Sequence, residues 1–236
     1  KTSPLPPSCF LDGSEPYLAR EVLDRLVAEA FPGGEGQDLN LDRFAVESRA
    51  AAGDEDVGVG TADPVGAAFG AAQTLPFIGP RRLVVLDGIE RRATDGWKRL
   101  AAFLTDVPPT SAVILIWRRD PNKKEGARAK SARESIGKAA AVWVTCEAPS
   151  GPELVSWIRR RAEEKGIRLA PEAASRLAAA NPEGALGMFE RELERLSTWA
   201  GDAPIGAEDV EMGGAGRRYT PFQFAESAVR GAPARC

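Results

Sequence analysis

The chain has 236 residues, which favours two small domains over one. It is 43% hydrophobic and 28% charged, an ordinary composition for a globular protein. It contains no histidine, which excludes histidine-based catalytic triads and histidine metal sites. Because the net charge is −3, the chain as a whole does not attract nucleic acid, and any such contact needs a local basic patch.

The three cysteines, Cys9, Cys146 and Cys236, have the spacing of neither a zinc site nor a disulfide framework. No apolar run approaches the roughly 18 residues of a membrane-spanning helix, and the proline-rich first residues do not resemble a signal peptide. We therefore expect a soluble, cytoplasmic protein with no membrane contact.

Short apolar runs alternate with helical periodicity along the first 147 residues. The runs at 84–86 and 111–117 are continuous, which is typical of strands buried on both faces, and we expect the same of 140–146. This alternation favours βαβ units and a three-layer α/β domain with a mostly parallel sheet. The predicted strands are 9–11, 39–46, 84–86, 111–117 and 140–146, and the predicted helices begin at Pro16 (capped by Ser14), Pro64, Asp95 and about Lys130, with a loop at 50–63.

From residue 148 onward the periodicity is helical and no further strand is evident. Ser150 and Glu153 have the spacing of a capping box, a second helix begins near Pro171, and Asn181 with Pro182 caps a third. These features predict a small helical domain at 148–216, with a short helical turn at 205–210, a glycine-rich linker at 213–216 and one more helix at 222–229. Trp157, Phe189 and Trp199 are predicted to face its core.

An α/β domain followed by a helical lid suggests the architecture of AAA+ ATPases. A working phosphate loop needs glycines, a lysine for the β- and γ-phosphates and a Ser or Thr for magnesium. The turn after the first strand, 12–17, has neither the lysine nor the hydroxyl pair, and Glu15 carries a negative charge there. ATP hydrolysis by this chain is therefore not expected.

Asp87 follows a predicted buried strand, where an AAA+ protein has a carboxylate that positions magnesium. AAA+ proteins usually have a glutamate directly after this carboxylate, but in this chain the next residue is Gly88. Asp87 and Gly88 also have the residue types of an ordinary strand-ending turn, and we favour that interpretation.

The segment 118–138 contains eight Lys or Arg residues against three acidic residues. It could bind a phosphate backbone through counterion release, or it could be a solvated loop; the sequence alone does not decide. Arg159 to Arg161 form a similar but weaker cluster. The candidate DNA-backbone contacts are Arg118, Arg119, Lys123, Lys124, Arg128 and Lys130.

Four consecutive apolar residues, Leu75, Pro76, Phe77 and Ile78, lie in a predicted loop between Thr74 and Gly79. Loops run over protein surfaces, so this run needs a physical reason. The loop is either tucked against the sheet, or it inserts into a pocket on another protein as a binding hot spot. Composition leaves both interpretations open.

The order of these segments resembles the delta subunit family of the bacterial DNA polymerase III clamp loader. The likeness is carried by DGSEPYLARE at 12–21, TLPFIGPRRLVVLDG at 74–88, the Pro-Asn-Lys-Lys segment at 121–124, ELVSWIRRRAEEKGIRL at 153–169 and FERELERLSTWAG at 189–201. It extends over nearly the whole chain.

The resemblance implies an AAA+-like α/β clamp-binding domain at 1–147 without a working phosphate loop, a helical lid at 148–216 and the start of a truncated helical collar domain at 217–236. It implies a non-ATPase subunit that binds the sliding clamp (the beta subunit) and promotes its opening for loading onto primed DNA. Leu75, Pro76, Phe77 and Ile78 match the family's clamp-binding element, with a proline in place of the more usual leucine.

The implied partners are the clamp, other clamp-loader subunits and, through the complex, primer-template DNA. No catalytic residue, metal ligand or cofactor is expected in the chain, although the family belongs to a DNA polymerase holoenzyme. The alternative is an AAA+ ATPase with an atypical nucleotide site. A stand-alone nucleic-acid-binding protein is disfavoured by the net acidity.

Overall fold

The structure is a computed structural model and describes residues 5–46, 63–77, 79–91, 97–182, 185–201 and 203–212. Residues 50–62 of the loop predicted at 50–63, the linker at 213–216 and the helix at 222–229 lie outside these ranges. The chain divides into two compact units, one up to Ala148 and one from Pro149 onward. Within the described ranges, no helix is both long and apolar enough to cross a membrane.

The first unit is built on a five-stranded, fully parallel sheet. Its strands are β1 (Ser8–Gly13), β2 (Leu41–Ala45), β3 (Arg82–Asp87), β4 (Ser111–Arg118) and β5 (Val142–Thr145). The spatial order is β2-β3-β4-β1-β5. The continuous apolar runs of β3 and β4 therefore occupy central positions that are covered on both faces, as predicted.

Helices cover both faces of this sheet. They are α1 (Pro16–Ala30), α2 (Gln37–Asn40), α3 (Pro64–Gln73), α4 (Trp97–Leu104) and α5 (Ala127–Ala139), with 3-10 turns at Pro32–Gly34 and Ile89–Arg91. One apolar core joins the sheet to α3, α4 and α5, and the other joins it to α1. The predicted three-layer α/β arrangement is confirmed.

Three local predictions in the first unit are wrong. Leu39 and Asn40 end the short helix α2, and the strand begins only at Leu41. The last strand, β5, pairs with β1 alone among the described strands, so it lies at an edge, and its side chains are largely exposed. The cap of α1 is Glu15, whose side chain accepts from the backbone N–H of Tyr17, while Ser14 bonds elsewhere.

The second unit is helical in its described residues. Its helices are α6 (Gly151–Glu164), α7 (Pro171–Ala180), α8 (Leu186–Ala200) and α9 (Ala207–Met212). The only non-helical pairing in this described part is a parallel bridge between Leu169 and Ile205. Gly166, with φ of +70°, follows the end of α6 as expected.

Two caps and one core residue of the second unit differ from expectation. Ser150 has the N-cap position of α6 but makes no side-chain capping bond, and α8 is preceded by Ala185 rather than by Asn181 and Pro182. Trp157 and Phe189 are buried, but Trp199 is 60% exposed. Trp199 lies about 80° around the helix from Phe189, at the edge of the buried stripe.

Candidate functional sites at the two edges of the sheet

The apolar loop lies at the amino-terminal edge of the parallel sheet, between the end of α3 and the start of β3. Leu75 is 72% exposed and Phe77 is 76% exposed, while Pro76 is half-buried. Ile78 lies outside the described residues. For Leu75 and Phe77, the interpretation as a loop tucked against the sheet is therefore wrong: these side chains face solvent.

The helix that leads into the loop is firmly anchored. Asp63 caps the start of α3 by accepting from the N–H of Val65 at 3.3 Å. At its other end, the buried hydroxyl of Ser111 donates to the carbonyl of Ala72 at 2.7 Å, and the hydroxyl of Thr74 donates to Gly70 at 3.0 Å. The chain therefore enters the loop from a fixed position against β4.

A buried asparagine holds the middle of the loop. The side-chain oxygen of Asn40 accepts from the backbone N–H of Phe77 at 2.8 Å, and its amide nitrogen donates to the carbonyl of Gly36 at 3.0 Å. Asn40 is fully buried. The bond fixes the backbone at Phe77 while the aromatic ring points away from the core. Leu39, next to this asparagine, is itself 50% exposed.

Two arginines fix the exit of the loop. The guanidinium of Arg81 donates to the carbonyl of Leu5 at 2.6 Å, and that of Arg82 donates to Asp42 on β2 at 2.5 Å. Arg82 also donates its backbone N–H to Thr110 at 2.9 Å. Both ends of the loop are thus held by hydrogen bonds, and Leu75 and Phe77 are exposed between them.

The opposite, carboxyl-terminal edge is where a nucleotide binds in folds of this class. The turn after β1 bonds to the chain itself. The N–H of Glu15 donates to the carbonyl of Cys146 at 2.9 Å, and the N–H of Ser14 donates to Glu147 at 3.2 Å. The Glu15 carboxylate caps α1, at the position that a phosphate would take. These two backbone donors are therefore not free for phosphate in this conformation.

Residue 13 is glycine because the neighbouring strand approaches very closely. A Cβ atom at Gly13 would lie 1.9 Å from the carbonyl oxygen of Cys146. The end of β5 therefore presses directly on the turn, which leaves no gap at this point for a phosphate.

Asp12 is the centre of a buried polar network at this edge. Its carboxylate accepts from Arg119 at 3.1 Å, from Arg133 at 2.8 Å and from the indole N–H of Trp143 at 3.2 Å. Arg133 also pairs with Glu125 at 3.0 Å. The hydrogen bond with Glu125, and then the charge and hydrogen bond of Asp12, raise the pKa of Arg133, so this cation stays charged at any physiological pH.

Asp87, which matches the position of a magnesium-positioning carboxylate, forms a two-point ion pair with Arg118. The distances are 2.8 Å from Nε and 2.5 Å from Nη2. The hydrogen bond with Asp87 is the main reason that the pKa of Arg118 is raised. This geometry supports the interpretation of Asp87 as a structural, turn-ending residue.

The basic segment separates into paired and unpaired cations. Arg118 and Arg119 belong to the ion pairs of the carboxyl edge, Arg119 pairing also with Glu147, and Lys130 lies 4.0 Å from Glu134. Arg128 is exposed and makes a contact of its own. The side chains of Lys123 and Lys124 are exposed and have no ion-pair partner among the described residues, which leaves them the two unpaired positive charges of the predicted set.

An open cleft of about 890 Å³ lies at the same edge and includes Lys123 and Lys124 in its walls. Five basic residues line it, but four acidic residues line it as well, so its charge is nearly balanced. Its lining residues are Ser14, Glu90, Arg91, Trp117, Arg118, Arg119, Asp120, Pro121, Lys123, Lys124, Glu125, Gly126, Ala129 and Glu147.

Sequence reasoning missed Asn40, Arg133 and Trp143. The strand predicted at 39–46 includes Asn40, and a single asparagine carries no signal of the long-range bond to Phe77. Asp12 and Arg133 are 121 positions apart, and only the parallel order of β1, β4 and β5 brings them together.

No protein-family model matches the chain, and no curated protein matches it. Among solved structures, it is similar to the Bacillus subtilis DNA clamp loader delta protein, with a TM-score of 0.59 and 22% identity over 87% of this chain and 57% of that one. It is also similar to a gamma subunit-related protein of DNA polymerase III from Thermotoga maritima, with a TM-score of 0.45 and 15% identity over 83% and 57% of the two chains. It is also similar to the Thermotoga maritima RuvB Holliday junction branch migration motor, with a TM-score of 0.47 and 14% identity over 88% of this chain and 60% of that one.

The chain spans less than two thirds of the length of each of these three proteins. At 22% identity, the likeness to the delta protein establishes the fold. The described residues thus form a five-stranded parallel-sheet α/β domain and a small helical domain, as the sequence predicted, and the chain is similar in fold to a clamp-loader delta protein.

Proposed function

We propose that this chain is a non-ATPase subunit of a bacterial DNA polymerase III clamp loader, which binds the sliding clamp and promotes its opening. The observation that carries the proposal is the exposure of Leu75 and Phe77 on a loop with anchored ends. The likeness in fold to a clamp loader delta protein supports it. In this role the chain works in the cytoplasm, beside other clamp-loader subunits.

The loop has the physical properties of a binding hot spot. An aromatic and an aliphatic side chain at its tip offer apolar area, and burying either in a pocket contributes on the order of 2 kcal/mol. Because Asn40 fixes the backbone at Phe77, little backbone conformational entropy remains to be lost at this residue on binding. Pro76 restricts the same loop further, because its ring fixes φ.

Ring opening follows from differential affinity. A ligand shifts a closed-to-open equilibrium only by the difference in its affinity for the two states. The loop therefore promotes opening if its pocket on the clamp fits it better when the ring interface is open. No chemical step in this chain is needed for that shift, and ATP control would come from partner subunits.

The carboxyl edge supports a role without nucleotide. Glu15 caps α1, the N–H groups of Ser14 and Glu15 bond to the chain, and Asp87 pairs with Arg118. These contacts fill the places where phosphate and magnesium would be held. The rival function, an AAA+ ATPase with an atypical site, would require all of them to be broken.

Contact with primer-template DNA is assigned to the basic segment, and within it first to Lys123 and Lys124, the two cations without a partner in the described structure. Residues 148–216 would act as the lid. Residues 217–236 would begin the collar domain that joins subunits, which the resemblance implies.

The first test is the affinity of the sliding clamp for Leu75→Ala and Phe77→Ala variants, measured by calorimetry. We expect each to weaken binding about 30-fold, which corresponds to roughly 2 kcal/mol, with unchanged stability because both side chains are exposed. Trp199→Ala is the matched control, since it removes an exposed aromatic side chain outside the loop. Unchanged clamp affinity in both loop variants would refute the site.

The rival is tested by titrating ATP and magnesium into the purified chain. The proposed function predicts no heat of binding at micromolar ATP. Micromolar affinity would favour an ATPase, and loss of that affinity in an Asp87→Asn variant would then place the magnesium site at the end of β3.

A further inference from the structure

The second unit contains an open cleft of about 630 Å³ along the C-terminal half of α6 and the turn that follows it. Three arginines, Arg159, Arg160 and Arg168, contribute to its walls, against one acidic residue, Glu163. The remaining lining residues are Ser156, Ala162, Gly166, Ile167 and Leu169.

The three arginines are exposed and have no ion-pair partner within the described part of the chain. Their neighbours on the same helix are different. Arg161 pairs with Glu190 and with Glu164, and Lys165 pairs with Glu190 and Glu194 at 2.8 Å. The face of α6 toward α8 therefore has its positive charge neutralised, while the cleft side does not.

This cleft also differs from the one at the carboxyl edge of the sheet, where five bases are nearly balanced by four acids. Here three cations face one anion. Positive charge that is left unpaired in a concave surface attracts anions and raises their local concentration.

The chemistry of the cleft favours a chain of phosphodiester groups over a single phosphate group. Sites for one phosphate combine cations with free backbone N–H groups. Here the N–H of Gly166 donates to Glu163 and that of Ile167 donates to Ala162, so neither is free. The cleft has no aromatic side chain and no exposed large aliphatic side chain in its walls, which disfavours a protein hot spot.

We propose that this cleft binds the phosphodiester backbone of nucleic acid, without base specificity, through Arg159, Arg160 and Arg168. Guanidinium groups bind phosphate oxygens in a planar, two-point geometry. Neither the apolar loop nor Lys123 and Lys124 line this cleft, so the proposal stands or fails independently of the clamp-binding proposal.

The experiment is fluorescence anisotropy of the purified chain with a labelled DNA duplex over a salt series. In the triple variant Arg159→Gln, Arg160→Gln, Arg168→Gln, we expect the slope of log affinity against log salt to fall by about 2.7, or 0.9 per phosphate contact. When the salt concentration rises from about 50 to 200 mM, the DNA affinity of the triple variant should therefore fall about 40-fold less than that of the wild-type chain.

Two variants guard against indirect effects. The control Arg176→Gln, Arg191→Gln, Arg195→Gln makes the same charge change in the second unit at positions that do not line the cleft, and should leave the slope unchanged. Replacing the three cleft arginines by lysine should retain most of the slope, because charge is kept. If the triple variant does not fold, Arg160→Gln alone should lower the slope by about 0.9.

The proposal is overturned if the cleft and control variants lower the slope equally, or if neither lowers it. It is also overturned if polyglutamate displaces the DNA at equal charge concentration, which would indicate an acidic protein partner. Displacement by millimolar inorganic phosphate beyond that by chloride at equal ionic strength would indicate a small phosphate site instead, and would equally contradict it.

Discussion

The two edges of the same parallel sheet present opposite chemistry. At the carboxyl edge, Asp12, Asp87 and Glu147 are paired with arginines, and the turn after β1 bonds to the chain's own oxygen atoms. At the amino edge, hydrogen bonds fix the backbone of a loop whose apolar side chains, Leu75 and Phe77, point into solvent.

The comparison suggests different roles for the two edges: the carboxyl edge stabilises the fold, and the amino edge is the candidate binding surface. At the carboxyl edge, these three carboxylates and the N–H groups of Ser14 and Glu15 are paired within the chain. Such pairs stabilise the fold but leave few donors or acceptors free for a ligand. An exposed apolar tip contributes little to folding, and under the proposed function it is the surface that the clamp would cover. In folds of this class, ligands usually bind at the carboxyl ends of the strands. The candidate site of this chain lies instead at the amino-terminal edge of the sheet.

The largest expected effect is on stability, from Asp12→Asn. Asp12 is buried and accepts from Arg119, Arg133 and Trp143. Removing its charge leaves Glu125 as the one anionic partner of Arg133 among the described residues. We expect a loss of about 3 kcal/mol in the free energy of unfolding, measured by urea denaturation. Clamp affinity of the folded protein should not change.

Glu147→Gln is the graded control at the same edge. Glu147 is partly exposed and pairs with Arg119 and Ser14, so its loss should cost below about 1 kcal/mol. If Asp12→Asn were no more destabilising than Glu147→Gln, the network would not be the stabilising core of this edge.

An intermediate effect is expected from Asn40→Ala at the amino edge. It removes the acceptor for the Phe77 N–H and the donor to Gly36, so stability should fall by about 1–2 kcal/mol. Clamp binding should weaken about 5-fold, because the loop is no longer held in its binding conformation. Asn40→Asp keeps the acceptor for Phe77, so calorimetry should find a smaller loss of clamp affinity; equal losses would mean that the bond to Phe77 does not position the loop.

A smaller effect is expected from charge reversal at Lys123 and Lys124. Their replacement by glutamate should reduce DNA-stimulated clamp loading and lower the salt slope of DNA binding by about 2. The same reversal at Lys98 and Arg99, which are exposed on α4, is the control. If both pairs act alike, the segment is only a solvated loop.

The smallest expected effect is on the thiol of Cys146. Burial, followed by the charges of Asp12 and Glu147, raises its pKa to about 11. Since a nearby carboxylate disfavours the thiolate, Asp12→Asn should lower that pKa and speed alkylation of Cys146 at pH 8 several-fold. Cys9, whose pKa burial raises to about 12, is the internal control. Equal acceleration of both cysteines would indicate global unfolding.

The sequence predicted the central strands and the three-layer arrangement, because continuous apolar runs and helical periodicity are local signals. It overestimated the burial of 140–146, since its apolar residues do not reveal that β5 lies at an edge. It located the apolar loop but could not decide its exposure, which depends on the bond from Phe77 to Asn40, 37 positions away.

The central claim is that the amino-edge loop binds the sliding clamp without help from nucleotide. The most direct test passes the clamp over the immobilised chain in the absence of ATP. We predict that the wild-type chain and Trp199→Ala retain the clamp and that Phe77→Ala releases it. Failure of the wild-type chain to retain the clamp, or equal retention by Phe77→Ala, would contradict the account.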